Sequence, residues 1–483
     1  MSLSNKTTIG VIWNFAEQMS KRGIGVVITL LLARFLTPDD YGLVGMMAVF
    51  IAIANQLMES GFDQSLIRKL DITQEDFNTA FYANILLGIL AYIFLFSSAP
   101  FVAAFYEEAR LIPLIRVVGI TIIINSFQIV QISALSRDFK FKLKLKATLP
   151  ATIISGIIAI TMAAMGFGVW ALITQMIVYS LLVTFFLWSL KLWKPTRKVS
   201  RNSFKEMFGF GSKLFASGLI DIIFQNLYII VIAKLFLAST AGYYYFAKKI
   251  RELVLNQIVR SIQTVTYPAL STLQKDELKL KMGYKKIIKS TVYLLFPLMT
   301  FMAALAEPLF RILLNEQWLP AVPYLQLLCI GGVMYPLHSI NLNILKVKGR
   351  SDLFLYIELV KKAIVIIILL PSIKYGVIGI LIGQVISSYL VYIPNSYYSG
   401  KLINYSINEQ IFDFLPELVL SFTISICIYF AVSLSILPAC AELILLSTLA
   451  IITYLSASCI LKFESFKIIK QVFKQNLKLS NRK

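Results

Sequence analysis

Charged residues are scarce in this chain, and acidic residues are the scarcest of them. Only 15% of the 483 residues are charged, whereas 58% are hydrophobic, and the mean hydropathy is +0.76. No soluble protein needs this much apolar surface, so we expect a polytopic membrane protein built from helices. The apolar runs are about 20 residues long and do not alternate, which excludes the strands of a membrane β-barrel.

Histidine and cysteine are too few to suggest a metal site or a disulfide framework. The chain has four Cys, none in CxxC spacing, and one His. We therefore expect buried thiols and no metal site. His338 lies inside a predicted span, where a structural role is favoured over a proton relay. No glycine-rich nucleotide loop is present, so we expect neither ATP hydrolysis nor a cofactor.

The net charge of +21 could suggest nucleic acid, but its distribution does not. The Lys and Arg residues lie in short loops between hydrophobic spans, which indicates membrane orientation and no nucleic-acid partner. We predict about fourteen transmembrane helices. Loops on one side carry 31 Lys and Arg, whereas those on the other carry three, Arg110, Arg311 and Lys374. Since cytoplasmic loops carry the positive charge, we expect both termini in the cytoplasm.

The predicted spans are roughly 10–36, 41–66, 78–99, 111–136, 147–166, 169–190, 207–236, 242–270, 287–306, 321–345, 353–371, 376–399, 415–437 and 441–461. The loops on the side that carries few cations are all short. They leave no room for an extracytoplasmic catalytic domain.

The chain repeats itself at a distance of two hundred residues. The pair Ala-Arg before Gly42 is matched by Ala-Lys before Gly242, and Lys21 falls opposite Asp221. Both copies start on the cytoplasmic side, so the repeat is parallel. We therefore predict two pseudo-symmetric six-helix lobes plus two extra C-terminal helices. The boundaries are an N-lobe at 1–190, a cytoplasmic linker at 191–206, a C-lobe at 207–411, spans thirteen and fourteen at 412–461, and a basic cytoplasmic tail at 462–483.

The tail has apolar residues at helical spacing among its cations. Phe466, Ile469, Phe473 and Leu477 define the spacing. We expect an amphipathic helix on the inner leaflet, with a solubilising basic end as the alternative.

The first span carries charges at membrane depth. Glu17 and Lys21 are one turn apart, and Arg22 follows. A bare charge in lipid is costly, so this face should look into a protein-lined or watery cavity. The alternative is an internal i, i+4 ion pair between Glu17 and Lys21.

Other spans carry polar stripes of the same kind. Span eight has polar residues from Glu252 to Tyr267, and span two has Gln56, Glu59 and Asp63. Together with spans one and seven they could line one cavity between the halves, where cations suit a diphosphate and amides suit sugar hydroxyls. The candidate substrate-binding residues are Lys21, Arg22, Lys249, Arg251, Asn256, Arg260 and Gln263.

Carboxyl groups at membrane depth are candidates for binding a coupling ion. Asp221 stands in the apolar stretch GLIDIIFQN of span seven. Burial disfavours an ionised carboxylate, so this group could exchange a proton, unless a partner such as Lys21 holds it ionised. The candidate coupling residues are Asp221, Glu17, Glu59 and Asp63.

The turn between spans one and two resembles a known family. Residues 33–42 read ARFLTPDDYG, and Arg34, Leu36, Pro38, Tyr41 and Gly42 fill an R-x-L-x-P-x-x-Y-G-like pattern. This pattern is typical of the polysaccharide exporters of the multidrug/oligosaccharidyl-lipid/polysaccharide superfamily. The segments ESGFD at 59–63 and YPAL at 267–270 are similar to this family too. The second repeat departs from the pattern at 238–240, so only the first copy is diagnostic.

The resemblance implies a function, which is not enzymatic. It implies a flippase for undecaprenyl-diphosphate-linked oligosaccharide, of the O-antigen or colanic-acid type, in a bacterial inner membrane. Two six-helix lobes would form a V-shaped cationic cavity and work by alternating access. The family places binding cations on spans one, two, seven and eight, which Lys21, Arg22 and Arg260 match here. The expected partners are the lipid-linked glycan, membrane lipid, and a polysaccharide polymerase and ligase. Alternatives are a cation-coupled multidrug exporter of the same superfamily and a membrane glycan polymerase.

Overall fold

The computed structural model describes residues 3–471, which are helical and contain no β-strand. The chain divides into two compact units, residues 1–245 and 246–483. The helices of the first unit are α1 (Leu3–Phe35), α2 (Pro38–Glu59), α3 (Phe62–Arg68), α4 (Gln74–Tyr106), α5 (Leu111–Val118), α6 (Ile120–Ser126), α7 (Ile129–Arg137), α8 (Phe141–Ala164), α9 (Val169–Ser189), α10 (Arg201–Gln225) and α11 (Leu227–Leu235).

The helix α12 (Ala238–Thr272) begins in the first unit and continues in the second. The remaining helices of the second unit are α13 (Glu277–Ala304), α14 (Ala306–Leu313), α15 (Val322–Gly332), α16 (Tyr335–Val347), α17 (Ser351–Ser372), α18 (Gly376–Leu402), α19 (Ile407–Leu434) and α20 (Ala439–Ile460). Short 3₁₀ turns at Glu316–Ala321 and Ile373–Tyr375 join some of them. A last helical segment covers 464–471.

The described residues contain enough apolar helix to cross a membrane many times. Ten continuous helical stretches are long and apolar enough, and a pair bent by 43°, Leu111–Ser126 with Ile129–Arg137, makes eleven. The stretch Ser351–Leu402 has 52 residues, and at ~1.5 Å per residue it is long enough to cross twice. The charged helices α1 and α12 lie outside this count. Together these helices are consistent with the fourteen predicted spans.

Four spans that the sequence predicted as continuous are broken. Span two is divided into α2 and α3, span four into α5, α6 and α7, span seven into α10 and α11, and span ten into α15 and α16. Pro336 is the second residue of α16, and a proline has no N–H to continue the preceding helix. Gln128 sits at the bend before α7 and donates to the Ser180 carbonyl at 2.9 Å and the Thr184 hydroxyl at 2.8 Å. The bend is therefore held by contacts to α9, which local sequence cannot show.

The turn from α1 into α2 is fixed by a capping box. Thr37 accepts a hydrogen bond from the Asp40 backbone N–H, while the Asp40 carboxylate accepts from the Thr37 N–H at 2.9 Å. Pro38 occupies the first helical position, where its missing N–H costs nothing. These residues explain the local part of the pattern at 33–42.

Gly42 is kept by a different requirement, the close approach of two backbones. A Cβ at Gly42 would lie 1.8 Å from the Ala238 carbonyl oxygen, and one at Gly242 would lie 1.7 Å from the Pro38 carbonyl oxygen. The starts of α2 and α12 thus meet backbone to backbone, through the two glycines that the repeat equates. No other residue type permits this separation.

The predicted linker is bound to the first unit by hydrogen bonds. The Asn78 side chain on α4 accepts from the Thr196 N–H at 3.0 Å and donates to the Lys198 carbonyl at 2.9 Å. Ser200 then donates its N–H to the Thr79 hydroxyl and caps α10 with its own side chain. The last residues of 191–206 are therefore helical, and the first ones lie along the start of α4.

Nearby, Lys69 joins the α3–α4 connection to α10. Its ammonium lies 2.9 Å from the Asp76 carboxylate and 3.2 Å from that of Glu206. The hydrogen bond to Asp76 raises the pKa of Lys69.

The first part of the tail packs against protein. Phe466 and Ile469, predicted to face the inner leaflet, contact an apolar cluster in the second unit that includes Tyr293, Leu446 and Tyr454. The rings of Phe466 and Tyr293 are 6.3 Å apart. The prediction of a surface helix is wrong for 464–471, because this segment finds a partner surface on α13 and α20. Phe473 and Leu477 lie outside the described residues.

Replacing Asn78 should destabilise the first unit. Asn78 is fully buried, and Asn78→Ala leaves the Thr196 N–H and the Lys198 carbonyl without their partner. We expect a loss of about 1–3 kcal/mol in the free energy of unfolding, measured by thermal unfolding in detergent. Asn84→Ala on the same helix is the control, because the buried amide atoms of Asn84 have no hydrogen-bond partner among the described residues. Equal losses in the two variants would contradict this account.

Adding a methyl group at Gly42 should force α2 and α12 apart. We expect Gly42→Ala and Gly242→Ala each to lower stability by about 1–3 kcal/mol. At Gly23 in α1, an added Cβ would have no described atom within 4 Å. We therefore expect Gly23→Ala to leave the stability unchanged or to raise it. Thermal unfolding of the three purified variants gives the comparison, and a neutral Gly42→Ala would exclude the close approach.

Candidate functional site

The polar face of α1 is held by neighbouring helices. The Glu17 side chain is buried, and its carboxylate lies 4.0 Å from the Lys144 ammonium of α8. The Lys21 ammonium lies 4.9 Å from the centre of the Tyr179 ring of α9, in a cation–π contact. The predicted alternative, a pair between Glu17 and Lys21, is thus replaced by tertiary partners. Lys21 and Arg22 are half-buried.

Lys144 and Tyr179 are partners of this face that were not predicted from the sequence. Lys144 stands in the run KLKLK at 142–146, which reads as a basic loop. Lys142 in the same run lies 5.0 Å from the Trp13 ring centre. Aromatic residues on α1 and α9 therefore each contact a lysine in a cation–π geometry. Because each lysine is far from its aromatic partner in sequence, only helix packing brings the two together.

The acidic candidates of span two lie where α2 meets α10. After Glu59 the chain turns through Ser60 and Gly61, both in the left-handed region. At this turn the backbone of Gly211 on α10 comes so close that a Cβ there would lie 1.8 Å from the Ser60 oxygen. Glu59 is exposed at this seam, and Asp63 follows in the first turn of α3.

Asp221 lies on the same helix, α10, and is exposed. Gly218, three residues before it, packs on the Gln56 amide of α2, whose nitrogen would lie 2.6 Å from an added Cβ. The α2–α10 seam of the first unit therefore carries three exposed or partly exposed carboxylates, Glu59, Asp63 and Asp221. Its surface is acidic, whereas the face of α1 carries Lys21 and Arg22.

In the second unit, α12 carries the cationic candidates. Lys249 and Arg251 are half-buried, and the Arg251 guanidinium lies 3.5 Å from the Glu252 carboxylate. The Arg251 side chain also packs against the backbone at Gly332 of α15. Asn256, Arg260 and Gln263 belong to the same helix, but their side chains lie outside those that the structure describes, so their role stays a prediction.

Two further polar residues of the spans have partners within the second unit. His338 Nδ1 lies 3.0 Å from the Asn395 amide nitrogen, whereas His338 Nε2 is buried without a hydrogen-bond partner among the described residues. Lys361 donates to Glu358 at 2.7 Å, one turn away on the same helix. Within residues 3–471 no group of three or more His, Cys, Asp and Glu side chains is placed to hold a metal ion.

A charged cluster joins the loop after α4 to two other helices of the first unit. Lys234 of α11 lies 2.7 Å from the Glu107 carboxylate, and Arg110 lies 2.6 Å from that of Asp39 at the start of α2. The hydrogen bond from Lys234 lowers the pKa of Glu107, and that from Arg110 lowers the pKa of Glu108. The cluster lies beside the contact of Gly42 with α12. It ties α2, the α4–α5 loop and α11 together.

The chain is similar in sequence to known proteins. A family model described as "Polysaccharide biosynthesis protein" matches residues 31–323. The lipopolysaccharide biosynthesis protein WzxC of Escherichia coli (strain K12) is 24% identical over 447 residues, which cover 89% of each chain. The teichuronic acid biosynthesis protein TuaB of Bacillus subtilis (strain 168) is 25% identical over 358 residues, 74% of each chain.

Solved structures share the fold. The lipid II flippase MurJ in an inward closed conformation gives a TM-score of 0.72 at 16% identity, covering 93% of this chain and 98% of its own. A multidrug resistance MATE transporter in an inward-facing conformation gives 0.61 at 16% identity, covering 79% and 94%. The family match spans more than half of this multi-pass helical membrane protein. The chain therefore belongs to the polysaccharide biosynthesis protein family.

Proposed function

We propose that this chain carries a lipid-linked oligosaccharide across the bacterial inner membrane and does not act as an enzyme. The observation that carries the proposal is the family match over residues 31–323, which includes α2, α10 and the cationic part of α12. The candidate binding face of α1 lies just before it. Lys21 and Arg22 stand there at membrane depth, half-buried rather than fully enclosed.

The physical problem is the desolvation of the head group. A diphosphate and its sugars cannot enter hydrocarbon alone, because buried charges and unpaired hydroxyl groups are costly. Cations that are already held in the protein replace the lost water by charge-assisted hydrogen bonds. We propose Lys21 and Arg22 as such cations in the first unit and, separately, Lys249 and Arg251 as such cations in the second. The polyprenyl tail needs no such help and stays in the bilayer.

The relatives support the substrate class. WzxC and TuaB are named for lipopolysaccharide and teichuronic acid biosynthesis, and another relative, from Rhizobium meliloti (strain 1021), is a succinoglycan biosynthesis transport protein. These polymers differ, so the shared feature is a glycan made for the cell surface. We assign undecaprenyl-diphosphate-linked units as the substrate, handed on to a polymerase and a ligase on the far side.

The cycle we propose is alternating access. The cations bind the diphosphate on the cytoplasmic side, and a conformational change presents the glycan to the other side. Exposed carboxylates at the α2–α10 seam, Glu59, Asp63 and Asp221, are placed to exchange an ion with water during the cycle. Glu17, which is paired with Lys144, is less suited to that exchange.

Two other functions fit parts of these observations. A cation-coupled multidrug exporter would use the acidic seam of the first unit and not the cations of α1. If the chain were a glycan polymerase, its loss would leave unpolymerised units that are already outside. Complementation separates them, because loss of a flippase causes complete lipid-linked units to accumulate in the cytoplasm.

Charge reversal at Lys21 should abolish export while the protein stays in the membrane. Lys21→Glu would repel the diphosphate and lose the contact with Tyr179, so we expect at least a tenfold loss of surface polysaccharide, which is about 1.4 kcal/mol. Lys21→Arg should retain most activity because the charge persists. Surface polysaccharide and cytoplasmic lipid-linked units are measured in a complemented deletion strain.

The matched control is Lys140→Glu, the same charge change at an exposed residue that pairs with Asp138 beside α8. It should export normally. Arg260→Glu, chosen from the sequence, should behave like Lys21→Glu. Full activity in both reversals would remove the proposed anion site.

The proposed orientation is tested by the accessibility of single cysteines. Cys440 is exposed in the first turn of α20, at the end that we place outside the cytoplasm, whereas Lys275 lies in the basic loop between α12 and α13. In a background without the other cysteines, Cys440 should react with a membrane-impermeant maleimide in spheroplasts. A cysteine introduced by Lys275→Cys should react only after permeabilisation, and the reverse pattern would overturn the orientation.

A further inference from the structure

A carboxyl group in the second unit has no role in the proposed transport path. Glu417 lies in α19, is only 3% exposed, and belongs to a predicted span that has no counterpart in the first half. One oxygen, Oε1, accepts a hydrogen bond from the Ser465 hydroxyl of the segment 464–471. The other oxygen, Oε2, is buried and has no hydrogen-bond partner among the described residues.

The cations near Glu417 are engaged elsewhere. The Lys289 ammonium of α13 lies 3.0 Å from Asp413, one turn before Glu417 on α19, and is also paired with Glu464. Lys285 lies 2.8 Å from the same Asp413 carboxylate. In the part of the chain that the structure describes, no ion pair reaches Glu417. An ionised Glu417 would therefore be a buried charge with one side-chain donor, which is costly.

Besides the lysines of α13, the groups near Glu417 on the other helices include the hydroxyl groups of Tyr293 on α13 and Tyr454 on α20. The Tyr293 hydroxyl is itself buried without a hydrogen-bond partner among the described residues. A neutral carboxyl group has an O–H to donate, whereas a carboxylate can only accept. The buried Oε2 accepts no hydrogen bond from the described residues, which suits a carboxyl group that carries a proton better than a carboxylate that needs donors.

We propose that Glu417 is a proton-binding site, closed by the segment 464–471 through Ser465. Its ligand is a proton from the aqueous side on which the C-terminus lies. When the segment is bound, Ser465 and the apolar side chains of Phe466 and Ile469 keep water from the carboxyl group. When the segment leaves, water solvates Glu417 and the proton dissociates. Proton binding and closure therefore stabilise each other.

The sign of the pH dependence follows from this linkage. The closed state binds one more proton than the open state, so closure is fully stable at low pH and weakens as the pH rises. In the range where only the open state has lost its proton, the opening equilibrium should rise by up to about tenfold per pH unit. This proposal concerns proton binding alone and stands whether or not the chain transports a glycan.

The test is hydrogen–deuterium exchange of 464–471 in the full chain, in lipid nanodiscs at several pH values, corrected for intrinsic exchange rates. In the wild type, protection of this segment should fall as the pH rises. Glu417→Gln keeps an acceptor for Ser465 but cannot release a proton, so its protection should not depend on pH. An unchanged pH response in Glu417→Gln would overturn the proposal.

Two further variants separate the neighbouring charges. Glu464→Gln removes the exposed partner of Lys289, so it should weaken protection at every pH and keep the pH response. Infrared difference spectra should show the carbonyl band of a protonated carboxylic acid that disappears in Glu417→Gln. The band should remain in Glu442→Gln, which changes the other buried carboxyl group of α19 and α20. Loss of the pH response in Glu464→Gln, or no band lost in Glu417→Gln, would reject Glu417 as the site.

Discussion

The cost of placing charge in hydrocarbon is the constraint on which this structure depends. Helices satisfy the backbone, but each charged side chain at membrane depth must find a partner or water. Glu17 finds Lys144, Lys21 finds the Tyr179 ring, and Lys289 finds Asp413. These partners come from other helices. The packing of the spans and the neutralisation of their charges therefore depend on the same contacts between helices.

The same constraint separates charges that hold the fold from charges that can act. A side chain that is fully buried and paired, such as Glu17, is committed to structure. The transport that we propose needs groups that can exchange one partner for another. Our candidates for such groups are the half-buried cations Arg22 and Lys249 and the exposed carboxylates Glu59 and Asp221.

The internal repeat shows how symmetry is used in the first unit. Gly42 and Gly242 occupy equivalent positions, and each receives the backbone of the other copy's helix start. The residues around them differ, because Thr37 and Asp40 form a capping box in the first copy only. The repeat thus preserves the close approach and leaves the local capping free to diverge. Two ion pairs, Lys234 with Glu107 and Arg110 with Asp39, add contacts beyond those of the two glycines.

Sequence reasoning reached the architecture and much less of the site. Every span crosses the same bilayer, which sets the length of the apolar runs and the side on which Lys and Arg lie. Both features can therefore be read directly from the sequence. The breaks at Gln128 and Asn226 depend on contacts with distant carbonyls or on local hydrogen bonds, which apolar length does not register. The tail was misassigned for a related reason. An amphipathic stripe shows that Phe466 seeks an apolar surface, and it does not distinguish lipid from protein.

By itself, the sequence determined that the chain crosses a membrane many times, which loops carry the positive charge, that it is built from two related halves, and which residues carry charge at membrane depth. All of these follow from hydropathy and spacing along one chain. Only the tertiary structure decided the partner of each charge, such as Lys144 rather than Lys21 for Glu17. It also decided which carboxyl group is enclosed, as Glu417 is. Partners and enclosure are properties of several helices at once, and hydrophobic packing sets their positions without leaving a local pattern in any one of them.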